Sequence, residues 1–283
     1  MMARWVRLAD ATVGGRPLAA TRMLYAVAAL IMLRSSWRRL DLGFDPDAFH
    51  LSWPVVGDRL LGVPPTLVVA LWAGGAVLVL VGVVPRIGAA SVVAAMGMFY
   101  AVDRQHYANG GYLLVLIGIL LVMADAGASR SPWGPDRRRT AWWPTFLLAS
   151  QLSITYLWAA VQKFRPASLR GDTISWQLQG PLAEAITWSG LPEVLNLLGG
   201  GVEIFCAIAL WFPSTRKLAV AAGIGLHLGV LGFVRDAPDL LAFGVASVAL
   251  YPAFWSASAP LAGEIRDWRA SGRRLAGSAP APP

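Results

Sequence analysis

Lys163 closes an apolar run, SITYLWAAVQKF, in which Ser153, Tyr156, Ala160 and Lys163 recur at i, i+3, i+7 and i+10. On a helix that spacing sets a hydroxyl, a phenol and an amine on one stripe. An amine relieved of its proton is a general base, whereas an ammonium at the end of a membrane helix can simply reach for the interface. Spacing alone leaves both readings open. Three more ionisable groups, Arg22, Glu203 and His227, fall inside apolar runs, where a lone charge is costly and calls for a partner or a function. Glu203 can pair with Arg22, hydrogen-bond to His227, or orient the acid–base group of an embedded cavity. His227 reads either as a packing histidine or as a member of that cavity. Asp103, His106, Asn109 and Arg235, from the polar links between runs, and Tyr112 at the start of the fourth run join Trp158 and Gln162 beside the lysine as candidate substrate contacts.

Other chemistries lack their signatures. No Gly-rich phosphate loop, GxSxG, HExxH or CxxC is present, which removes the sequence support for nucleotide hydrolysis, a serine nucleophile elbow and structural zinc. Asp41, Asp45 and Asp47 in DLGFDPD are spaced to hold Mg²⁺ against a diphosphate, or form an acidic external loop. Mg²⁺ enters only if a prenyl diphosphate is the substrate.

The elements that must position these groups are membrane helices. Hydrophobic residues make up 56% of the 283 and charged residues only 14%, with a mean hydropathy of +0.56, outside the range of soluble domains. The expected fold is all-α and integral to the membrane, a polytopic bundle of about eight transmembrane helices plus an interfacial segment. The spans fall at Leu18–Leu33, Pro65–Val84, Ile87–Val102, Tyr112–Ala124, Pro144–Lys163, Val194–Phe212, Leu218–Val234 and Leu240–Trp255. Pro85-Arg86 is the only break between the second and third, which makes them antiparallel neighbours. Trp176, Leu178, Leu182, Ile186 and Trp188 alternate with polar groups and predict an amphipathic interfacial or re-entrant segment that roofs a site. Residues 1–16 form a basic tail without a cleavage site, 17–256 the membrane domain and 257–283 a polar tail. The single cysteine, Cys206, builds no disulfide framework.

A pI near 10.4 invites a nucleic-acid partner, but the basic residues are spread over loops between spans, which excludes one. Their larger share lies on the side of the two termini. The positive-inside rule therefore places both termini in the cytoplasm, in a multi-pass protein of the cell (plasma) membrane, with Lys163, Asp103, His106, Asn109 and Arg235 outside.

Several stretches resemble the membrane domain of the vitamin K-dependent γ-carboxylases and its bacterial relatives, the horizontally transferred transmembrane (HTTM) proteins. They are PLAATRMLYAVAALIML with its internal arginine, NGGYLLVLIGILLVMADAGASRSPW, YLWAAVQKF followed by LRG, GGGVEIFCAIALWF and GLHLGV. The family pattern Tyr-Phe-x-Ala-Gly-x-x-Lys with a later Gly is matched by Tyr156, Ala159, Ala160 in place of the glycine, Lys163 and Gly171. Glu203 and His227 match the acidic residue and histidine of the last helices. Gly110 stands where the family has a histidine, Ser168 where it has a tryptophan, and Gln162 where it has a second lysine.

The resemblance implies that Lys163 is the base that starts oxidation of a quinol by dioxygen, with reduced menaquinone and O₂ as the matching co-reactants. The large lumenal domain that holds protein substrates has no counterpart, so peptide γ-carboxylation itself is not expected. The resulting expectation is a membrane enzyme acting on an isoprenoid lipid, with Lys163 as acid–base residue and Tyr156, Glu203 and His227 positioning it. A membrane terpene cyclase, whose aromatic rings stabilise carbocations, is one alternative. A non-catalytic module that binds a lipid or a protein partner is the other.

Overall fold

The computed structural model describes residues 6, 8–134, 139–170, 191–233 and 237–263. Backbone polar groups in lipid must be satisfied within the segment, and the apolar runs accordingly fold as helices. In chain order the elements are strand β1 (Thr12–Gly14), helices α1 (Arg16–Gly43), α2 (Val56–Leu60), α3 (Pro65–Val81) and α4 (Pro85–Val102), a 3₁₀ turn (Arg104–His106), α5 (Asn109–Met123), strand β2 (Arg139–Ala141), then α6 (Trp142–Lys163), α7 (Pro166–Leu169), α8 (Leu191–Ala209), α9 (Arg216–Phe233) and α10 (Ala237–Leu250). A turn at Tyr251 and Pro252 leads into a last helical stretch, 253–263. Pro65 and Pro85 start α3 and α4, where the missing N–H has no partner to lose.

Arg16–Gly43, Pro85–Val102, Trp142–Lys163, Leu191–Ala209 and Asp239–Gly263 are long and apolar enough to cross a bilayer, while Pro65–Val81 and Asn109–Met123 are apolar but shorter. The fold is therefore an all-α membrane bundle. Helices cover the larger part of each of the eight expected segments, while among the described residues five helices are long and apolar enough to cross a bilayer. Two segments run well past their expected ends. The stretch 34–43, expected as loop, continues α1: Arg34, Arg38 and Arg39 are good helix formers, Ser36 and Leu40 turn inward, and Arg39 bridges Asp239 at 2.9 Å. Beyond Trp255 the chain stays helical because side chains hold it, with Trp142 Nε1 donating to the Ala257 carbonyl at 2.8 Å and Arg216 Nη2 to Ser258 Oγ at 2.7 Å. The segment from Trp176 to Trp188, Gly171 and Arg235 lie outside the described residues.

Helices α3 and α4 are antiparallel neighbours, as their short connection requires. Gly75 and Gly88 face each other so closely that a Cβ on either would meet the other's carbonyl oxygen, the close approach that small residues give membrane helices. Trp72 joins this pair to α1 by donating Nε1–H to the Ala29 carbonyl at 3.0 Å. One end of the bundle gathers the start of α1, the α3–α4 turn, the start of α6 and an antiparallel pair of strands in the register Thr12↔Ala141, Val13↔Thr140, Gly14↔Arg139. That small sheet has no periodic signal in the sequence. The opposite end gathers the 3₁₀ turn, the start of α5, the end of α6 and the start of α10, and it carries Lys163.

Candidate functional site

Helix α6 delivers the lysine and α8 its partner. Asn196, 2% exposed, donates Nδ2–H to the Lys163 carbonyl at 2.7 Å and so clamps the last turn of α6 against the first turns of α8. The Lys163 side chain then lies across Gly199 and Gly200, whose missing side chains leave it room. Its Nζ reaches Glu203 Oε1 at 2.6 Å, with the two side chains 28% and 7% exposed. The second carboxylate oxygen, Oε2, is buried and has no hydrogen-bond partner among the described residues. Most buried acceptors are satisfied, so an open one beside an ammonium marks a place for a hydrogen-bond donor.

Tyr156 sits two helical turns below Lys163, about 10 Å along the axis. Its hydroxyl lies 3.2 Å from His227 Nε2 and 2.6 Å from Tyr251 Oη. Gly223 permits this arrangement, because a Cβ there would collide with Tyr251 Oη. Phe243 meets the His227 ring edge to face at 5.8 Å and Gly244 packs under it. The last member of the stripe, Ser153, is taken up by the fold: its hydroxyl donates to the Ala207 carbonyl at 2.9 Å and accepts from Trp211 Nε1 at 2.9 Å.

Neither expected partner of Glu203 is the one it has. Arg22 belongs to the other end of the bundle, fully buried, where Nη1 donates to the carbonyls of Val79 and Leu80 and Nη2 to that of Arg130 at 2.8 Å. The acceptors at Val79 and Leu80 are among the last carbonyls of α3, which lack intrahelical donors. Gly82 ends α3 in the left-handed conformation, with φ 79°, directly against the guanidinium. His227, for its part, faces Tyr156 rather than Glu203.

The remaining candidates are dispersed. Asp103, 5% exposed, accepts from the Gln105 N–H at 2.9 Å and the Leu51 N–H at 3.4 Å, fixing the loop after α1 to the 3₁₀ turn. His106 stacks on Phe99 with ring centroids 4.3 Å apart and lies 4.0 Å from Asp103 Oδ2. Asn109 is exposed at the start of α5, Tyr112 is half-exposed beside Tyr107, Trp158 is exposed on the outer face of α6 and Gln162 is half-buried. No contact among the described residues joins Asp103 or His106 to Lys163. Asp41, Asp45 and Asp47 do not converge either: among the described residues no three His, Cys, Asp or Glu side chains gather to hold a metal ion. Two site residues, Tyr251 and the clamp Asn196, had only indirect signals, a glycine one turn from His227 and a polar position on the Glu203 face of α8.

Burial holds the His106 imidazole below its ordinary value of 6.5, against the opposite pull of Asp103. The unfolded chain thus takes up a proton that the folded chain resists. Stability is expected to be level above pH 6.5 and to fall as the pH drops below it. Melting curves between neutral and mildly acid pH check this, and His106→Phe, which preserves the stack on Phe99, should flatten the slope.

Apolar helices long enough to cross a bilayer, with a lysine–glutamate pair drawn together between two of them, define an integral-membrane protein in which Arg22, Glu203 and His227 are buried in the bundle. The HTTM domain family model matches residues 13–231 of the 283, and the chain belongs to that family. The HTTM domain is a membrane domain of the carboxylase-like kind. No curated protein and no solved structure matches the chain.

Proposed function

We propose that this protein is a membrane enzyme that acts on an isoprenoid lipid, with the Lys163–Glu203 pair as its acid–base group. The observation that carries this reading is the open Oε2 of Glu203 beside the lysine. A proton shifted between amine and carboxylate leaves the pair net neutral in both states, which keeps it compatible with apolar surroundings. A lipid hydroxyl can accept from Lys163 Nζ and donate to Glu203 Oε2. The pair then removes the hydroxyl proton, and the 28% exposure of the lysine leaves it approachable. A reduced isoprenoid quinone with dioxygen as oxidant suits this best, since a phenolic proton is the one that such a pair can take. Tyr156, His227 and Tyr251 form a hydrogen-bonded chain beneath the pair, where they set the floor of the site.

The test is oxygen uptake by the purified protein in nanodiscs with reduced menaquinone, run beside a prenyl diphosphate assay with Mg²⁺. Wild type is expected to consume oxygen, and Lys163→Ala to be slower by about 10²-fold or more, the usual contribution of a general base. Turnover of the diphosphate alone would move the assignment to a cyclase. Absence of turnover on both, or a lysine-less variant equal to wild type, would leave a non-catalytic lipid- or protein-binding module.

A further inference from the structure

At the end of the bundle opposite Lys163, a cavity of about 330 Å³ opens between β1, β2 and the helical stretch 253–263. Its polar wall is Thr12, Arg139 and Ser256, Trp255 stands at its rim, and none of the described residues lining it is acidic. The strand register brings Arg139 opposite Gly14. There its Nε donates to Thr12 Oγ1 at 2.8 Å and its Nη2 to the Thr12 carbonyl, which fixes the guanidinium fork. Nη1 has no partner among the described residues. Thr12 Oγ1, used as an acceptor, keeps its own hydrogen to donate. The Ser256 hydroxyl has no hydrogen-bond partner among the described residues and is open to the hollow.

Three unused donors around one hollow, with no carboxylate among the described residues of its wall, form a site for an oxyanion. Trp255 tells which kind. It is 48% exposed, with the Arg216 guanidinium 4.9 Å over its ring, an aromatic and basic pairing suited to the level of lipid headgroups. Arg86, Arg130 and Lys217 lie at the same end of the bundle, and such basic ends attract anionic lipid. We propose that this cavity binds the phosphate of an anionic membrane phospholipid, whose acyl chains pass Trp255 along the outside of the helices. The volume takes a phosphate with its glycerol and leaves the chains in the bilayer. The site is separate from Lys163 and does not depend on the chemistry proposed there.

The experiment uses the full chain in phosphatidylcholine vesicles carrying a small fraction of brominated phosphatidylglycerol or, as control, brominated phosphatidylcholine. Bromine quenches tryptophan on close approach, and the Trp255 signal is the difference between wild type and Trp255→Phe. Saturable extra quenching by phosphatidylglycerol is expected, with half-saturation about fivefold weaker in Arg139→Gln, the effect of one basic side chain at a membrane surface. Ser256→Ala, which leaves the strand pairing alone, should weaken it as well and carries the test if Arg139→Gln fails to fold. Equal quenching by the two lipids, or unchanged half-saturation in the folded variants, overturns the proposal. Inorganic phosphate separates the two sources of the anion: lipid quenching that persists in its presence supports the lipid, and displacement by it assigns the site to a free oxyanion and overturns the lipid assignment.

Discussion

Lys163→Met is expected to lower stability by about 3 kcal/mol, because it leaves Glu203 buried without its counter-charge. Glu203 is 7% exposed and its Oε2 has no partner among the described residues, so losing the ammonium leaves a buried carboxylate with no compensating charge there. Glu203→Gln should cost less, about 1 kcal/mol, since Lys163 at 28% exposure can swing its ammonium toward the interface. The double variant, Lys163→Met with Glu203→Gln, is expected to recover most of the loss, because no unpaired charge is left buried. Thermal melting of the four proteins in one detergent gives the coupling energy of the pair directly. Additive single effects would mean that the two side chains do not depend on each other, and the acid–base unit proposed above would lose its physical basis.

A similar loss is expected at the other end of the molecule, with no consequence for the lysine. Arg22→Met removes the donors to the Val79, Leu80 and Arg130 carbonyls in a site with no exposure. Stranded buried acceptors cost about 1–3 kcal/mol each, so a loss of at least 3 kcal/mol follows. Arg22→Lys should not rescue it, because a single ammonium cannot span carbonyls that the guanidinium fork reaches in two directions. Melting temperature reads the stability. Oxygen uptake per folded molecule separates this role from catalysis: a variant that folds at low temperature yet is inactive there would place Arg22 in the reaction, contrary to the clasp described here.

The two arginine and glutamate environments show why the sequence could pose the partner question without answering it. Membrane cost alone demanded a partner for Arg22, Glu203 and His227, and each has one. Which partner it is depends on helix neighbours. Helix α1 packs on α3, so Arg22 finds the free carbonyls at the end of α3; α8 packs on α6, so Glu203 finds Lys163. Helical periodicity put Ser153, Tyr156 and Lys163 on one stripe, yet it could not tell that Ser153 bonds across to Ala207 while Tyr156 meets His227 and Tyr251. The bounds of α1 and of the last helix were missed for a related reason. Both are extended by tertiary contacts, Arg39 with Asp239 and Trp142 with Ala257, and these pairs lie 200 and 115 residues apart in the chain.

The sequence by itself determined that this is a helical membrane protein of the HTTM family, because lipid leaves apolar runs no other way to satisfy their backbones, and because motif spacing travels with the chain. It also singled out Lys163, since an amine that ends an apolar helix is legible from order alone. Only the tertiary structure decided that the lysine is paired, that one oxygen of its partner is open, and that a donor-lined hollow sits at the far end between β1, β2 and the last helix. Those features are distances between helices, and distances between helices are set by which small side chains let which backbones approach.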